Sequence, residues 1–372
     1  MKLTIERASL LKSLAHVQSV VERRNTIPIL SNVLLEAGDD QLRLTATDMD
    51  LSVVESVAAS VGQPGATTAP AHTLYDIVRK LPEGAEVSLD SSGDTGRMNL
   101  EAGRSNFTLP TLPKEDFPAI GDTDLPQTFA LAAAELQNLI DHTRFAISTE
   151  ETRYYLNGIY LHATTGDDLP ALRAVATDGH RLARFEMPLP DGAADMPAVI
   201  VPRKTVGELR KMIDEGGGSV GISLSDTRIR FAFAETILTS KLIDGTFPDY
   251  ERVIPSANDK VLDVDRKAFF DAVDRVSTIS TEKSRAVKLS LDNGVLTLSA
   301  TSPDSGSAVE ELEVEYGGEA IEIGFNSRYL LDIAQQIEGE DAQFVLADAA
   351  SPTIVRDRSD SSALYVLMPM RV

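Results

Sequence analysis

The segment Ala46-Thr47-Asp48-Met49-Asp50-Leu51-Ser52 returns about 130 residues later as Ala176-Thr177-Asp178-Gly179-His180-Arg181-Leu182. A fainter copy, Ala300-Thr301-Ser302-Pro303-Asp304, follows at similar spacing. Phe117-Pro118 and Phe247-Pro248 keep the same interval. A chain that repeats itself at domain-sized intervals has to fold as repeated units. Its 372 residues hold three units of about 125 residues, each long enough for its own core.

Each repeat carries the same order of patterns. Alternating residues 2–5 predict a strand, and Leu10, Leu11, Leu14, Val17 and Val21 recur at helical spacing behind it. Residues 27–36, 41–46 and 51–59 read as strands, with Gly38-Asp39-Asp40 turning the first hairpin. A second helix spans 71–81, and strands over 86–90, 97–102 and 105–109 complete the unit. The middle copy places helices at 134–145 and 203–213, and the last at 266–276 and 327–337. This order predicts an α+β fold of three domains, 1–126, 127–254 and 255–372, each with two helices packed on antiparallel sheet. Each helix has one apolar stripe, so its other face looks outward. Six such faces on one side of a row of domains would form a wall.

Charge limits what the wall can meet. Asp and Glu total 57 against 35 Lys and Arg, a formal charge of −22 that repels nucleic acid and anionic membranes. The six predicted helices run the other way, at roughly +3. A solvated face explains such a balance, and so does a weak, sequence-independent surface facing phosphates. No run of apolar residues is long enough to span a membrane, and the N-terminus lacks the pattern of a signal peptide. Cysteine is absent and the five histidines are scattered without a His-x-x-x-His pair, so neither a thiolate site nor a metal site is expected. A reduced, cytoplasmic compartment is expected, with no cofactor.

Asp178, Gly179, His180 and Arg181 together could support acid–base chemistry. No second reactive group stands at fixed spacing, and there is no nucleophile elbow, P-loop or dinucleotide fingerprint. Gly216-Gly217-Gly218 ends a helix rather than opening one and reads as a cap and turn. Asp48 and Asp178 each fall at a strand end, where an Asx-type turn is expected. His180 and Arg181 have no counterpart in the first repeat, so the middle repeat carries something extra, and binding suits it better than catalysis. The ending Val366-Leu367-Met368-Pro369-Met370-Arg371 is apolar where chain ends are usually polar, and methionines flanking a proline make an adaptable contact surface.

Taken together, Thr177 to Ala183, Arg153-Tyr154-Tyr155-Leu156-Asn157-Gly158, Phe247-Pro248-Asp249-Tyr250 and the C-terminal run resemble the bacterial sliding clamp, the β subunit of DNA polymerase III. The likeness runs the length of the chain. It implies a non-catalytic processivity factor. Two copies would join head to tail into a ring with pseudo-sixfold symmetry, twelve helices lining a hole around duplex DNA. Attachment would then be topological, so the acidic outer body need not be attracted to DNA, and screening within about 10 Å weakens its repulsion.

The resemblance further implies a cleft for short peptides. One side would be Leu156, Thr177, Gly179, His180, Arg181, Leu182, Pro248, Arg252 and Val253. The other would be Val366, Leu367, Met368, Pro369, Met370 and Arg371, with Asn326 and Tyr329 nearby. Apolar walls would bury Leu and Phe anchors while a few polar groups orient the peptide backbone. Implied partners are the replicative polymerase α subunit, the clamp loader δ subunit, translesion and repair polymerases, and mismatch-repair proteins. Arg24, Tyr154, Tyr155, Arg203 and Lys204 would face DNA. The dimer joint would involve Arg104 and Phe107 of the first domain and Thr278 and Ile279 of the third. Glu150, Thr278 and Pro352 depart from the residue types the resemblance implies. Two rival readings make other predictions. An enzyme centred on Asp178 and His180 would lose turnover on His180→Ala, and a scaffold with no DNA role would not distinguish circular from linear DNA.

Overall fold

The structure is a computed structural model. It describes all residues except 94–95, 120, 122–123, 165–168, 217, 281–284 and 372, and the backbone alone at 214–216. Gly217 of the glycine run and Val372 of the tail thus lie outside the described residues.

Six α-helices occur among the described residues: α1 (Arg7–Val20), α2 (Ala71–Lys80), α3 (Ala133–Arg144), α4 (Arg203–Gly216), α5 (Arg266–Ser277) and α6 (Ser327–Ala334). The apolar spacing that predicted them is the face they bury. Leu10, Leu14 and Val17 of α1 and Phe269, Val273 and Val276 of α5 are all sealed from solvent. Glu6 caps α1 through Ser9 N at 2.8 Å, and Asp265 caps α5 through Ala268 N at 2.6 Å. Arg7 reaches the other end of the helix pair, where Nε and Nη2 donate to the carbonyls of Val78 and Arg79 in the last turn of α2.

Two expectations need correction. Residues 28–31 are not extended. Pro28, with its fixed φ, starts a 3-10 turn (Pro28–Ser31) closed by Leu30 N on the Ile27 carbonyl, and the strand begins at Asn32. Helix α6 stops at Ala334, three residues before Ile337, where Gln335 caps it by bonding back to Leu331.

Among the described residues the strands form four antiparallel sheets. The first runs Ser60–Gln63, Lys2–Glu6, Glu86–Asp90, Arg97–Ala102, Ser105–Pro110. The second runs Gln127–Ala132, Ser219–Leu224, Arg228–Phe233, Thr236–Lys241, Leu51–Ala58, Gln41–Thr47, Asn32–Gly38, Gly65–Pro70. The third runs Val199–Pro202, Gly158–Thr164, Ala171–Thr177, Arg181–Pro188, Ala363–Leu367, Thr353–Asp357, Asp341–Leu346, Lys260–Asp265, Glu315–Tyr316. The fourth runs Gly306–Glu313, Val295–Ser302, Ala286–Asp292, Ile321–Asn326.

The repeat makes sense of this order. Each third of the chain supplies two half-sheets. The second sheet joins a half from the first third to one from the middle third, where Leu51–Ala58 pairs with Thr236–Lys241. The third sheet joins middle and last thirds in the same manner, Arg181–Pro188 with Ala363–Leu367. Two halves are left over: the first sheet, ending on Ser105–Pro110, and the fourth, ending on Gly306–Glu313.

The chain forms two compact units. One comprises residues 1–137, 190–197 and 204–242 and holds the first two sheets. The other comprises 138–189, 198–203 and 243–372 and holds the last two. No helix among the described residues is long and apolar enough to cross a membrane.

Candidate functional site

The repeated Thr-Asp segment is a turn built twice from the same bonds. In the first unit, Asp48 Oδ1 accepts from Asp50 N and Leu51 N at 2.9 and 2.7 Å, Thr47 Oγ1 donates to the Leu51 carbonyl, and Met49 N donates to Thr47 Oγ1. In the second unit, Asp178 Oδ1 accepts from His180 N and Arg181 N at 2.9 and 3.0 Å, with Thr177 and Gly179 in the matching roles. One oxygen of each carboxylate is thus spent on backbone donors, as expected of an Asx turn. The third position of the turn is left-handed in both copies, at φ +81° for Met49 and +88° for Gly179.

Arg181 is a buried pin. Nε donates to Asp178 Oδ2 at 3.2 Å, Nη1 to Asp332 Oδ2 at 2.5 Å and Nη2 to the Phe145 carbonyl at 2.6 Å. Its guanidinium carbon sits 4.3 Å from the Tyr329 ring centre and 5.1 Å from that of Phe145. It ties the turn to α6 and to the end of α3, and His180 above it stacks on Tyr329 with ring centres 6.5 Å apart. Sequence alone marked Arg181 but not Asp332 or Phe145, its partners, which lie 151 and 36 positions away.

The C-terminal strand completes this place. Leu182 pairs with Val366 and Arg181 with Leu367, and Met368 N then donates to the His180 carbonyl at 2.9 Å. Beyond Pro369, Met370 N bonds the Gly324 carbonyl of the fourth sheet at 2.9 Å. Leu156, Leu182 and Val366 form one apolar cluster with Val175, Ile200, Phe247 and Tyr250. Pro248, Arg252 and Val253 flank that cluster on the segment carrying Phe247 and Tyr250. Val253 and Met368 are 48% and 41% exposed, unusual for such side chains, and Pro248 is exposed as well. Asn326 caps α6 through Arg328 N at 3.0 Å. Arg252 pairs with Asp249 at 2.7 Å, and Arg371 is exposed.

An inner polar brace holds the Phe247–Tyr250 wall. Arg173 donates to Glu186 and Glu251, both at 2.8 Å, and to the Tyr250 hydroxyl at 3.3 Å, which also meets His162 Nε2 at 3.0 Å. Tyr160 stacks on Phe247 at 4.7 Å. Burial pulls the His162 pKa below the usual histidine value. Behind the last strand, the Tyr365 hydroxyl lies 2.7 Å from His142 Nδ1, and His142 stacks on Phe185 at 4.9 Å. Burial lowers the His142 pKa against the pull of Glu338, Asp360, Asp141 and Asp357, and burial raises that of Tyr365. Sequence reasoning passed over Arg173 and His162 in their strands and His142 on α3, because a lone polar residue in a strand or helix carries no sign of its partners.

The residues expected to face DNA divide. Arg24 and Arg203 are exposed, and Tyr154 is 55% exposed. Tyr155 is half-buried against the apolar cluster. Lys204 is engaged within its own unit: Nζ donates to Glu22, to Asp48 at 2.6 Å and to the Val20 carbonyl at 3.1 Å. Burial works to lower its pKa, yet the bonds to Asp48 and Glu22 outweigh that and hold it above the ordinary lysine value. Arg7, Lys211, Lys267 and Arg275 also serve internal partners, so the helical charge count overstates what a phosphate would meet. Arg104 lies in the exposed hairpin before Ser105, Phe107 is on the strand it opens, and Thr278 and Ile279 close α5, which packs on Gly306–Glu313.

Comparison with known proteins agrees with this architecture. Residues 1–121, 130–249 and 251–371 match the models of the N-terminal, central and C-terminal domains of the DNA polymerase III beta subunit. The beta sliding clamp of Caulobacter vibrioides is 58% identical over 372 residues, and that of Escherichia coli K12 42% over 375, each covering 100% of both chains. The crystal structure of the C. crescentus clamp superposes with a TM-score of 0.98 at 57% identity, over 100% of this chain and 99% of that one. The Bartonella birtlesii clamp bound to griselimycin gives 0.97 at 53%, over 100% of both. The chain belongs to the bacterial DNA polymerase III β subunits, the β sliding clamps.

Proposed function

We propose that this chain is a non-catalytic processivity factor that closes as a homodimeric ring around duplex DNA in the cytoplasm. It has three clamp domains, 1–126, 127–254 and 255–372, and holds its partners through a peptide cleft at the junction of the middle and last domains. The observation that carries the ring is the pair of leftover half-sheets. Inside the chain, every other half-sheet ends on a strand that pairs with the next third. Ser105–Pro110 and Gly306–Glu313 have the same places in the repeat and lack that neighbour, so one copy supplies what the other needs.

The internal joints also give a register. The hairpins closing at Ala102↔Ser105 and Phe233↔Thr236 match Phe107 with Leu238. The pairs Thr47↔Ser52 and Thr301↔Ser307 match Val53 with Ala308. Leu238 opposes Val53 inside the chain and is fully buried. Phe107 of one copy therefore opposes Ala308 of the other, and Asn106 opposes Val309, a residue now 66% exposed. Arg104 and the end of α5, Thr278 and Ile279, flank this joint.

Arg24, Tyr154, Tyr155 and Arg203 face the DNA, Lys204 chiefly through its effect on Glu22. The cleft takes apolar anchors of short peptides between Leu156, Thr177, Gly179, His180, Arg181, Leu182, Pro248, Arg252 and Val253 on one side and Val366 through Arg371 on the other, with Asn326 and Tyr329 nearby. The replicative polymerase α subunit, the clamp loader δ subunit, translesion and repair polymerases and mismatch-repair proteins share it. The test is retention on nicked circular DNA after loading by a clamp loader with ATP. Retention on the circle that is lost on a single cut supports the ring, and equal retention on circular and linear DNA would sink it.

A further inference from the structure

The joint between Leu51–Ala58 and Thr236–Lys241 holds two cavities against the second sheet, of about 200 and 330 Å³. Pro118, Ala119, Gly121 and Thr239 line both, so the two are neighbours. Thr47, Met49, Asp50, Leu51, Ser52 and Pro118 line the smaller one, each about 130 positions before a residue of the proposed peptide cleft. The repeat therefore has a hollow here too, with other chemistry. Arg228 lines the smaller cavity and Arg230 the larger, two positions apart on the strand Arg228–Phe233. Neither guanidinium has a hydrogen-bond or ion-pair partner among the described residues, and Nε of Arg230 is buried without one. The other charges offset one another. Lys241 pairs with Asp50 at 2.9 Å, and Arg43 stands opposite Glu36 on the neighbouring strand. Thr45 and Thr239, 5% and 8% exposed, line the larger cavity, and their hydroxyls have no hydrogen bond among the described residues.

We infer that these cavities hold an acidic segment of a partner protein, with glutamates at alternate positions whose carboxylates meet Arg228 and Arg230. Unpaired guanidinium and hydroxyl donors call for an oxygen acceptor, and a charged one suits two surplus cations. The rest of the larger cavity is apolar, with Leu34, Val54, Phe117 and Ile237 on its walls. Such walls take the methylenes of a glutamate stem, which an inorganic oxyanion lacks. Spacing points to a chain rather than a single ion. Residues two apart on one strand face are about 7 Å from each other, the interval between alternate side chains of an extended peptide. The inference stands without the cleft reading, because every lining residue belongs to the first compact unit. One repeated joint would then serve two unlike ligands, the apolar anchor at one copy and the acidic segment at the other.

The experiment uses the full-length protein and fluorescein-labelled peptides free of Leu and Phe. One carries Glu at two alternate positions and the other Gln, and affinity is read by anisotropy. At about 0.1 M salt the screening length of about 10 Å removes most of the distant acidic charge and spares contact pairs. The Glu peptide binds about tenfold tighter than the Gln peptide. In Arg228→Gln/Arg230→Gln that ratio falls to one or below, because only repulsion from a body of formal charge −22 is left. Neither arginine has a partner to lose, so the melting temperature stays at the wild-type value. Thr239→Val, an independent variant, weakens the Glu peptide about twofold to threefold and leaves the Gln peptide unchanged. Equal affinity for the two peptides overturns the inference. A wild-type ratio in the double variant also overturns it and assigns the acidic peptide to another basic surface. Displacement by free glutarate as effective as by unlabelled Glu peptide overturns it too, leaving a site for small carboxylates. A Leu/Phe-anchored peptide measured alongside reports on the cleft at Met368 separately, so either reading can fail while the other holds.

Discussion

Ring closure gives the sharpest number. Phe107 is 36% exposed at the unpaired edge of the first sheet, whereas Leu238, at the same place in the next repeat, is fully buried. A phenylalanine presents about 200 Å², so closing the edge hides roughly 70 Å² of it. At about 25 cal/mol per Å², that is nearly 2 kcal/mol for each joint. A twofold ring has two joints, so Phe107→Ala should cost the dimer about 3.5 kcal/mol, a rise in dissociation constant of about 300-fold. Cavity formation can only add to this.

Sedimentation equilibrium across a concentration series measures that constant directly. Because Phe107 lies at an exposed edge, the isolated chain should melt as before. Val309→Asp, on the opposite edge, should weaken the dimer by a comparable amount, and Ile27→Ala, at another exposed apolar residue, should leave it unchanged. A shift below about tenfold for Phe107→Ala would show that the repeat's own joints do not describe the joint between copies.

Three further outcomes follow from side chains already placed. Gly179→Ala puts a Cβ 2.5 Å from Arg153 Nη1 at φ +88°, so stability should fall by about 1–2 kcal/mol and peptide affinity with it, read by denaturant melts and anisotropy. Arg181→Met leaves Asp178 without its cation and Asp332 with only Arg328 at 4.0 Å, and should cost about 3 kcal/mol, while Asp332→Asn should cost less. His142 and His162 have folded pKa values lowered chiefly by burial, below the unfolded value of about 6.5. The unfolded chain therefore takes up protons first as pH falls. Their contribution is whole above pH ~6.5 and is lost on the way down towards the folded values, so the melting temperature should drop between pH 7.5 and about 5.5. His142→Gln should flatten that slope.

Much of this was legible in the sequence, and the limits have physical causes. Helices announce themselves locally. Phe269, Val273 and Val276 recur at helical spacing because one face of α5 is buried, and no distant partner is needed to see it. The Asx turns at Asp48 and Asp178 are local too. Pro28–Ser31 was misread because Ile27, Ile29 and Leu30 look like a strand, while Pro28 acts through φ rather than hydropathy. Which half-sheet joins which was hidden, since Leu51–Ala58 and Thr236–Lys241 lie far apart and neither carries a mark for the other. Lys204 shows the same limit: a resemblance can bring it towards DNA, but only the fold brings Glu22 and Asp48 to its ammonium.

The two internal joints show how one backbone gives unlike surfaces. At the first, Lys241 N donates to the Asp50 carbonyl at 2.8 Å, and at the second Met368 N donates to the His180 carbonyl at 2.9 Å. The backbone bond is the same. At the first, Lys241 Nζ then pairs with Asp50 Oδ1 at 2.9 Å, so a charged bridge spans the place where the second has Met368 and His180 side by side. Thr239 and Ser52 occupy the positions of Val366 and Leu182. A Leu or Phe anchor arriving at the first joint would have to desolvate hydroxyls and an ion pair. At the second it meets Met368, 41% exposed, beside the buried apolar pair Leu182 and Val366. The proposed cleft thus uses the joint whose side chains at these four paired positions suit an apolar peptide.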